Sequence, residues 1–134
     1  MKKFVFLCVF FAFSLSSRAQ DSGIRFFHGT WDEAIALAKK EKKKIFVDFY
    51  TEWCGPCLNM SLTVFVLPQV GEVYNKNFVC LKIDAEKGEG RELAKRYGVT
   101  SYPTYIFINP KSQEIIHRSG SNKPAEDFLY DAQG

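Results

Sequence analysis

The stretch Trp53-Cys54-Gly55-Pro56-Cys57 constrains the fold of this chain more than any other. It follows an apolar run, Ile45-Phe46-Val47-Asp48-Phe49-Tyr50, that reads as a buried strand, and it precedes a segment that reads as a helix. Two cysteines three apart on the first turn of a helix face the same way, so they can close a small disulfide ring. The first of them sits where unpaired backbone N–H groups and the helix dipole favour a thiolate. Strand, C-x-x-C, helix is a layout for thiol–disulfide exchange. A bare C-x-x-C also serves as half a zinc site, but His28 and His117 do not stand at ligand spacing, so no metal is expected. Gly88-Glu89-Gly90 reads as a turn before a helix, with no nucleotide-binding motif around it, and no cofactor is expected either.

The remaining pattern supplies a frame for that motif. Thr30 and Glu33 form a capping box before a helix over Trp31 to Lys42, with Trp31, Ala34, Ile35 and Ala38 as its apolar stripe. A helix is predicted from Cys54 toward Val66, and Pro68 starts another through Tyr74. Phe78 to Asp84 reads as a second strand and Glu89 to Tyr97 as a helix capped by Gly98. Thr104 to Ile108 is a third strand, paired through the turn at Asn109-Pro110 with a fourth over Glu114 to Arg118. Pro124 to Ala132 closes the chain as a short helix. This order predicts an α/β fold with a central mixed four-stranded sheet flanked by helices on both faces.

Lys2 and Lys3, ten uninterrupted apolar residues from Phe4 to Phe13, and small residues at Ser17 and Ala19 match a secretory signal peptide over residues 1–19. A retained anchor is the rival reading, but the apolar run is about half of the ~20 residues a crossing needs. Residues 20–30 are expected to form a linker or N-terminal extension, and residues 31–134 the folded domain. The full chain has 18 Lys+Arg against 15 Asp+Glu. Lys2, Lys3 and Arg18 leave with the signal and no acid does, so the mature chain is close to neutral and nucleic-acid binding is not expected. The run Lys39-Lys40-Glu41-Lys42-Lys43-Lys44 complements a helix C-terminus and reads as a solvated face. Cys80 lies in an apolar run, Phe78-Val79-Cys80-Leu81, and is expected to be buried and inert.

The segments Ile45 to Cys57, Leu81-Lys82-Ile83-Asp84, and Tyr97-Gly98-Val99-Thr100-Ser101-Tyr102-Pro103-Thr104 together resemble the thioredoxin family over residues 31–132. Val64-Phe65 and the lysine-rich first helix resemble its exported branches. The resemblance implies a thioredoxin fold, a redox-active Cys54–Cys57 disulfide, and protein substrates carrying disulfides or thiols. It implies that Cys54, expected to be exposed at the helix start, attacks and that Cys57 resolves. Asp48 would be the buried acid that takes the thiol proton, and Lys82 the ammonium facing it. Pro103 would be a cis-proline, with Ser101 and Tyr102 presenting backbone to substrate, and Trp53, Gly55 and Pro56 would complete the substrate face. An ordinary trans turn at Pro103 and core packing of Trp53 are the plainer readings of those residues. Gly55-Pro56 resembles reducing members of the family.

Three departures stand out: Leu58 replaces the usual basic residue after the second cysteine, Tyr102 is bulky, and the last helix is short. The expected protein is therefore an exported monomer in the periplasm or cell envelope of a bacterium, reducing protein disulfides with electrons from a membrane-embedded dithiol carrier. It would have no stable membrane insertion once the signal is removed. An oxidase, an isomerase or a non-catalytic client-binding module on the same fold are the alternatives.

Overall fold

The computed structural model describes residues 22–134, so the expected signal over residues 1–19 lies outside the described residues. Among the described residues, five helices and four strands follow in the expected order: α1 (Trp31–Glu41), β1 (Lys44–Tyr50), α2 (Gly55–Thr63), α3 (Pro68–Asn77), β2 (Phe78–Asp84), α4 (Gly90–Arg96), β3 (Thr104–Ile108), β4 (Ile115–Gly120) and α5 (Ala125–Asp131). The sheet order is β2-β1-β3-β4. β1 runs parallel to β2 and antiparallel to β3, which pairs antiparallel with β4, so the sheet is mixed.

Strand alternation sorts the core into two layers. Ile45, Val47 and Phe49 of β1 pack with Trp31, Ala34, Ile35 and Ala38 of α1 and Leu93 and Ala94 of α4. Phe46, between them, turns to the opposite face with Met60, Val70, Tyr74 and Phe128 from α2, α3 and α5. The Tyr74 and Phe128 rings stack 4.4 Å apart, and the Tyr74 hydroxyl donates to the Phe128 carbonyl at 2.6 Å. A helix with one apolar stripe and a sheet with two apolar faces leave few other ways to bury both.

Local chemistry sets the element ends. Both halves of the Thr30/Glu33 capping box form, at 3.2 and 2.9 Å. α2 stops at Thr63, short of the expected Val66, because the chain turns through Val64 to Leu67 before Pro68 opens α3. α3 runs on to Asn77, past the expected Tyr74, and leads straight into β2. Gly98 follows α4 at φ +63°, the left-handed conformation its role as a cap requires. β4 begins one residue later than expected and reaches Gly120.

Residues 23–27, expected within a linker, lie along the body of the protein. Ile24 N–H donates to the Phe65 carbonyl at 2.8 Å, Phe27 N–H to the Cys80 carbonyl at 2.8 Å, and Phe26 bridges to Cys80. Lys43, from the lysine run, is half-buried and donates to the Asn75 carbonyl at 2.9 Å, while Lys39 and Lys40 are exposed.

Candidate active site

β1 delivers the chain to the cysteines. After Tyr50, a turn through Thr51 to Trp53 brings Cys54 to the N-cap of α2, with Pro56 on its first turn. A proline costs nothing there, because its missing N–H would have no helical partner. Cys54 and Cys57 form a disulfide with a Cα–Cα separation of 5.3 Å. Cys57 N–H points at Cys54 Sγ at 3.1 Å. The same N–H and the helix dipole favour charge on that sulfur once the bond is reduced. Cys54 was expected to stand exposed, but it is only 5% exposed in this disulfide form and Cys57 3%. Both cysteines line a cleft of about 270 Å³ together with residues including Tyr50, Trp53, Leu58, Ser61 and Lys82.

Trp53 is not core: it is 71% exposed. Its indole N–H donates to Glu86, and its ring meets Tyr102 edge-on at a centroid distance of 5.9 Å. Trp53 thus joins the loop after β2 to the loop before β3. Gly55 and Pro56 are exposed beside it. The Tyr102–Pro103 peptide is cis. Thr104 stands opposite Phe49 in the β1–β3 register, which places Pro103 and Tyr102 at the same end of the sheet as the cysteines. The Ser101 carbonyl already accepts from Thr104 Oγ1 at 2.6 Å, and the Pro103 carbonyl from Ser121 N–H at 3.2 Å.

Asp48 shares the face of β1 that α2 covers, two residues along from Phe46. It is 1% exposed, and neither carboxylate oxygen has a hydrogen-bond partner among the described residues. Burial pushes its carboxyl up to about 7, against the opposing pull of the Lys82 charge. Lys82 is its register neighbour on β2, as expected, but its ammonium donates to Ser61 Oγ and lies 5.1 Å from the centre of the Tyr50 ring. Among the described residues no ion pair joins Lys82 to Asp48. Cys80 is 2% exposed, and burial pushes its thiol up to about 12, which suits the inert role expected of it.

Some neighbours of the site were not read from the sequence. Ser61 follows Cys57 by one helical turn, so the spacing was available as a signal. Leu58 and Leu62, one turn apart, and then Val66 are 61%, 65% and 46% exposed, an apolar stripe leading away from the cysteines. The role of Glu86 has no local signal, since it depends on where the β2–α4 loop returns. Among the described residues no group of three or more His, Cys, Asp or Glu could hold a metal ion, and no helix is long and apolar enough to cross a membrane.

This frame and its cysteine pair agree with the comparisons. The thioredoxin-like family model matches residues 27–110. The chain belongs to the thioredoxin-like family. It is 44% identical over 83 residues to thioredoxin-1 of Drosophila yakuba, covering 62% of this chain and 72% of the fly protein. It is 33% identical over 84 residues to the thiol:disulfide interchange protein DsbD 2 of Pseudomonas aeruginosa, covering 62% of this chain but only 14% of that protein. Among solved structures it resembles a candidate disulphide-isomerase from Bacteroides thetaiotaomicron, with a TM-score of 0.75 and 44% identity over 86% of this chain and 94% of that one. A thioredoxin-like fold carrying a Cys54–Cys57 pair is the scaffold of a thiol:disulfide oxidoreductase.

Proposed function

We propose that this protein is an exported thiol:disulfide oxidoreductase that reduces disulfides in client proteins of a bacterial cell envelope. The observation that carries the reading is the Cys54–Cys57 disulfide at the N-terminus of α2, on the face of the sheet where Asp48 is buried with a carboxyl raised to about 7.

In the reduced protein the Cys54 thiolate attacks one sulfur of a client disulfide. A Cys54–client bond forms, the client bond breaks, and the departing client sulfur takes up a proton. The Cys57 thiol then gives its proton to the Asp48 carboxylate and attacks Cys54 Sγ. The Cys54–Cys57 bond forms and the second client sulfur leaves as a thiolate. The client gains two electrons and the protein loses two, ending in the disulfide state seen here. Asp48 suits proton acceptance because its raised pKa matches a neutral working pH. Trp53, Gly55, Pro56, Ser101, Tyr102 and Pro103 would form the face that receives the client, and the stripe from Leu58 gives it an apolar rim.

Reduction is favoured over oxidation by the Gly55-Pro56 pair and by the likeness to thioredoxin-1. Export rests on the pattern of residues 1–19, and a compartment without reductant of its own calls for a membrane-embedded dithiol carrier as donor. The likeness to the Bacteroides structure favours isomerase activity as the second reading.

Two measurements test the proposal. A redox potential near about −270 mV supports reduction, and one near about −120 mV supports oxidation. The Cys57→Ala variant should retain clients from an envelope extract as mixed disulfides on Cys54. An extract that yields none, or a Cys54→Ser variant that still reduces insulin at full rate, removes the proposal.

A further inference from the structure

Lys82 and Asp48 are adjacent across the parallel β1–β2 pair, so their side chains leave the sheet on the same face. Two destinations lie within reach of the lysine: the carboxylate beside it and the helix above it. The structure places the ammonium at the helix. It donates to Ser61 Oγ on α2 and lies 5.1 Å from the ring centre of Tyr50, 5.8 Å from Phe65 and 5.9 Å from Phe26. Both Asp48 oxygens are left without a partner among the described residues. Ser61 is half-buried, one turn beyond Cys57 on the inward side of α2, and lines the same cleft as the disulfide.

We propose that Ser61 is a positioning residue: by anchoring the Lys82 ammonium to α2 it holds that charge out of contact with Asp48 and leaves the acid without a bonded cation. The titratable groups facing Asp48 are Lys82 from β2, Tyr105 from β3 and Tyr50 from β1 itself, and α2, which covers this face, carries no charged side chain. Lys82 is the one cation in this set of described residues, so its placement decides which protonation state of Asp48 is favoured. In contact, it would stabilise the carboxylate; held at Ser61, it leaves desolvation as the larger influence. The raised carboxyl of Asp48, with burial as the larger cause and Lys82 opposing it, agrees with the second arrangement. Ser61 thereby sets the pH at which Asp48 can accept the Cys57 proton, a consequence that rests on the proposed reaction, whereas the placement of the charge does not.

The test is a carbon-13 titration of the Asp48 side-chain carboxyl in the oxidised protein, which needs no client. In Ser61→Ala, Lys82 is freed to reach the carboxylate, and the Asp48 midpoint should fall by about one pH unit. Ser61→Thr, which keeps the hydroxyl, should restore it. In a Lys82→Met background Ser61→Ala should no longer move the midpoint. Alanine favours the helix at this position, so the variant is expected to fold. An Asp48 midpoint that stays in place or rises in Ser61→Ala overturns the inference, as does an equal fall in the Lys82→Met background. A protein that titrates as expected yet reduces no client would refute the proposed function and leave this inference standing.

Discussion

Asp48 and Tyr105 stand directly opposite each other across the antiparallel β1–β3 pair, and neither side chain has a hydrogen-bond partner among the described residues. Burial raises both groups, Asp48 to about 7 and the Tyr105 phenol well above its ordinary range, with the nearby Asp48 charge adding to the latter. Two buried polar groups without partners lower stability, and the cost to Asp48 depends on pH.

The sign for Asp48 follows from its direction of shift. Because its folded pKa lies above its unfolded value, the folded protein holds that proton more tightly. Its cost is absent below about pH 4, grows as pH rises, and is complete above about pH 7. A rise from 3.8 to about 7 corresponds to a cost on the order of 4 kcal/mol. Asp48→Asn, which mimics the protonated acid, should therefore be more stable than the parent at pH 8 by several kcal/mol and nearly equal to it at pH 4. Urea unfolding of the oxidised proteins at both values measures this; a stability difference independent of pH contradicts it.

Asp131 should behave in the opposite sense. Burial alone would push its carboxyl up, but Lys123 Nζ at 2.7 Å, Ser119 Oγ at 2.6 Å and His117 Nε2 at 3.1 Å hold it below the usual carboxylate range. Its folded pKa is depressed, so its contribution is present above the ordinary carboxylate range and is lost as pH falls through the folded value. Asp131→Asn should cost about 2 kcal/mol at pH 7, because it leaves Lys123 and Ser119 with a weaker acceptor, and much less at pH 2. Denaturant midpoints across that range decide the matter.

The apolar stripe beside the cysteines gives a prediction about clients. Leu58 and Leu62 are well exposed on a helix that carries no charge in its first or last turn. Covering a leucine of this kind contributes on the order of 1.5 kcal/mol. Leu58→Gln, which adds no charge next to the cysteines, should lower kcat/KM for insulin relative to that for a small aromatic disulfide by about tenfold. A ratio unchanged from the parent would mean that clients do not touch the stripe.

How much of this was legible follows from range. The capping box, the proline that opens α3 and the Cys54/Cys57 pair are written within a few residues, and each appears where the local pattern placed it. Asp48 is a charge in an apolar strand, which is costly, and the resemblance to the thioredoxin family placed Lys82 beside it. The destination of the Lys82 ammonium could not be read that way. It depends on Ser61, twenty-one residues earlier in sequence, and on three aromatic rings from separate segments. The burial of Cys54 was misjudged for a similar reason, since the N-cap position predicts its electrostatics but not how far the folded chain covers it. His117, which carried no signal in the sequence beyond its lack of ligand spacing, ties β4 to α5 through Asp131, a contact fixed only when the last helix docks.

The docking of residues 23–27 depends on a pair of glycines. Gly23 has φ +98°, and its carbonyl lies where a Cβ on Gly71 would stand, 2.2 Å away. That carbonyl also accepts from Asn75 Nδ2 at 3.0 Å, and Arg25 N–H donates to Asn75 Oδ1 at 2.8 Å. The obstacle is backbone, so a side chain at Gly71 must displace the whole segment. Two effects compete in Gly71→Ala: alanine gains about 1 kcal/mol within α3, and the displaced segment loses its bonds to Asn75, Phe65 and Cys80. Several bonds at about 1 kcal/mol each outweigh one propensity gain. The variant should lose hydrogen-exchange protection at the Ile24 and Phe27 amides while α3 stays protected, and its melting temperature should fall. Retained protection at both amides with a raised melting temperature would show that the segment yields without cost.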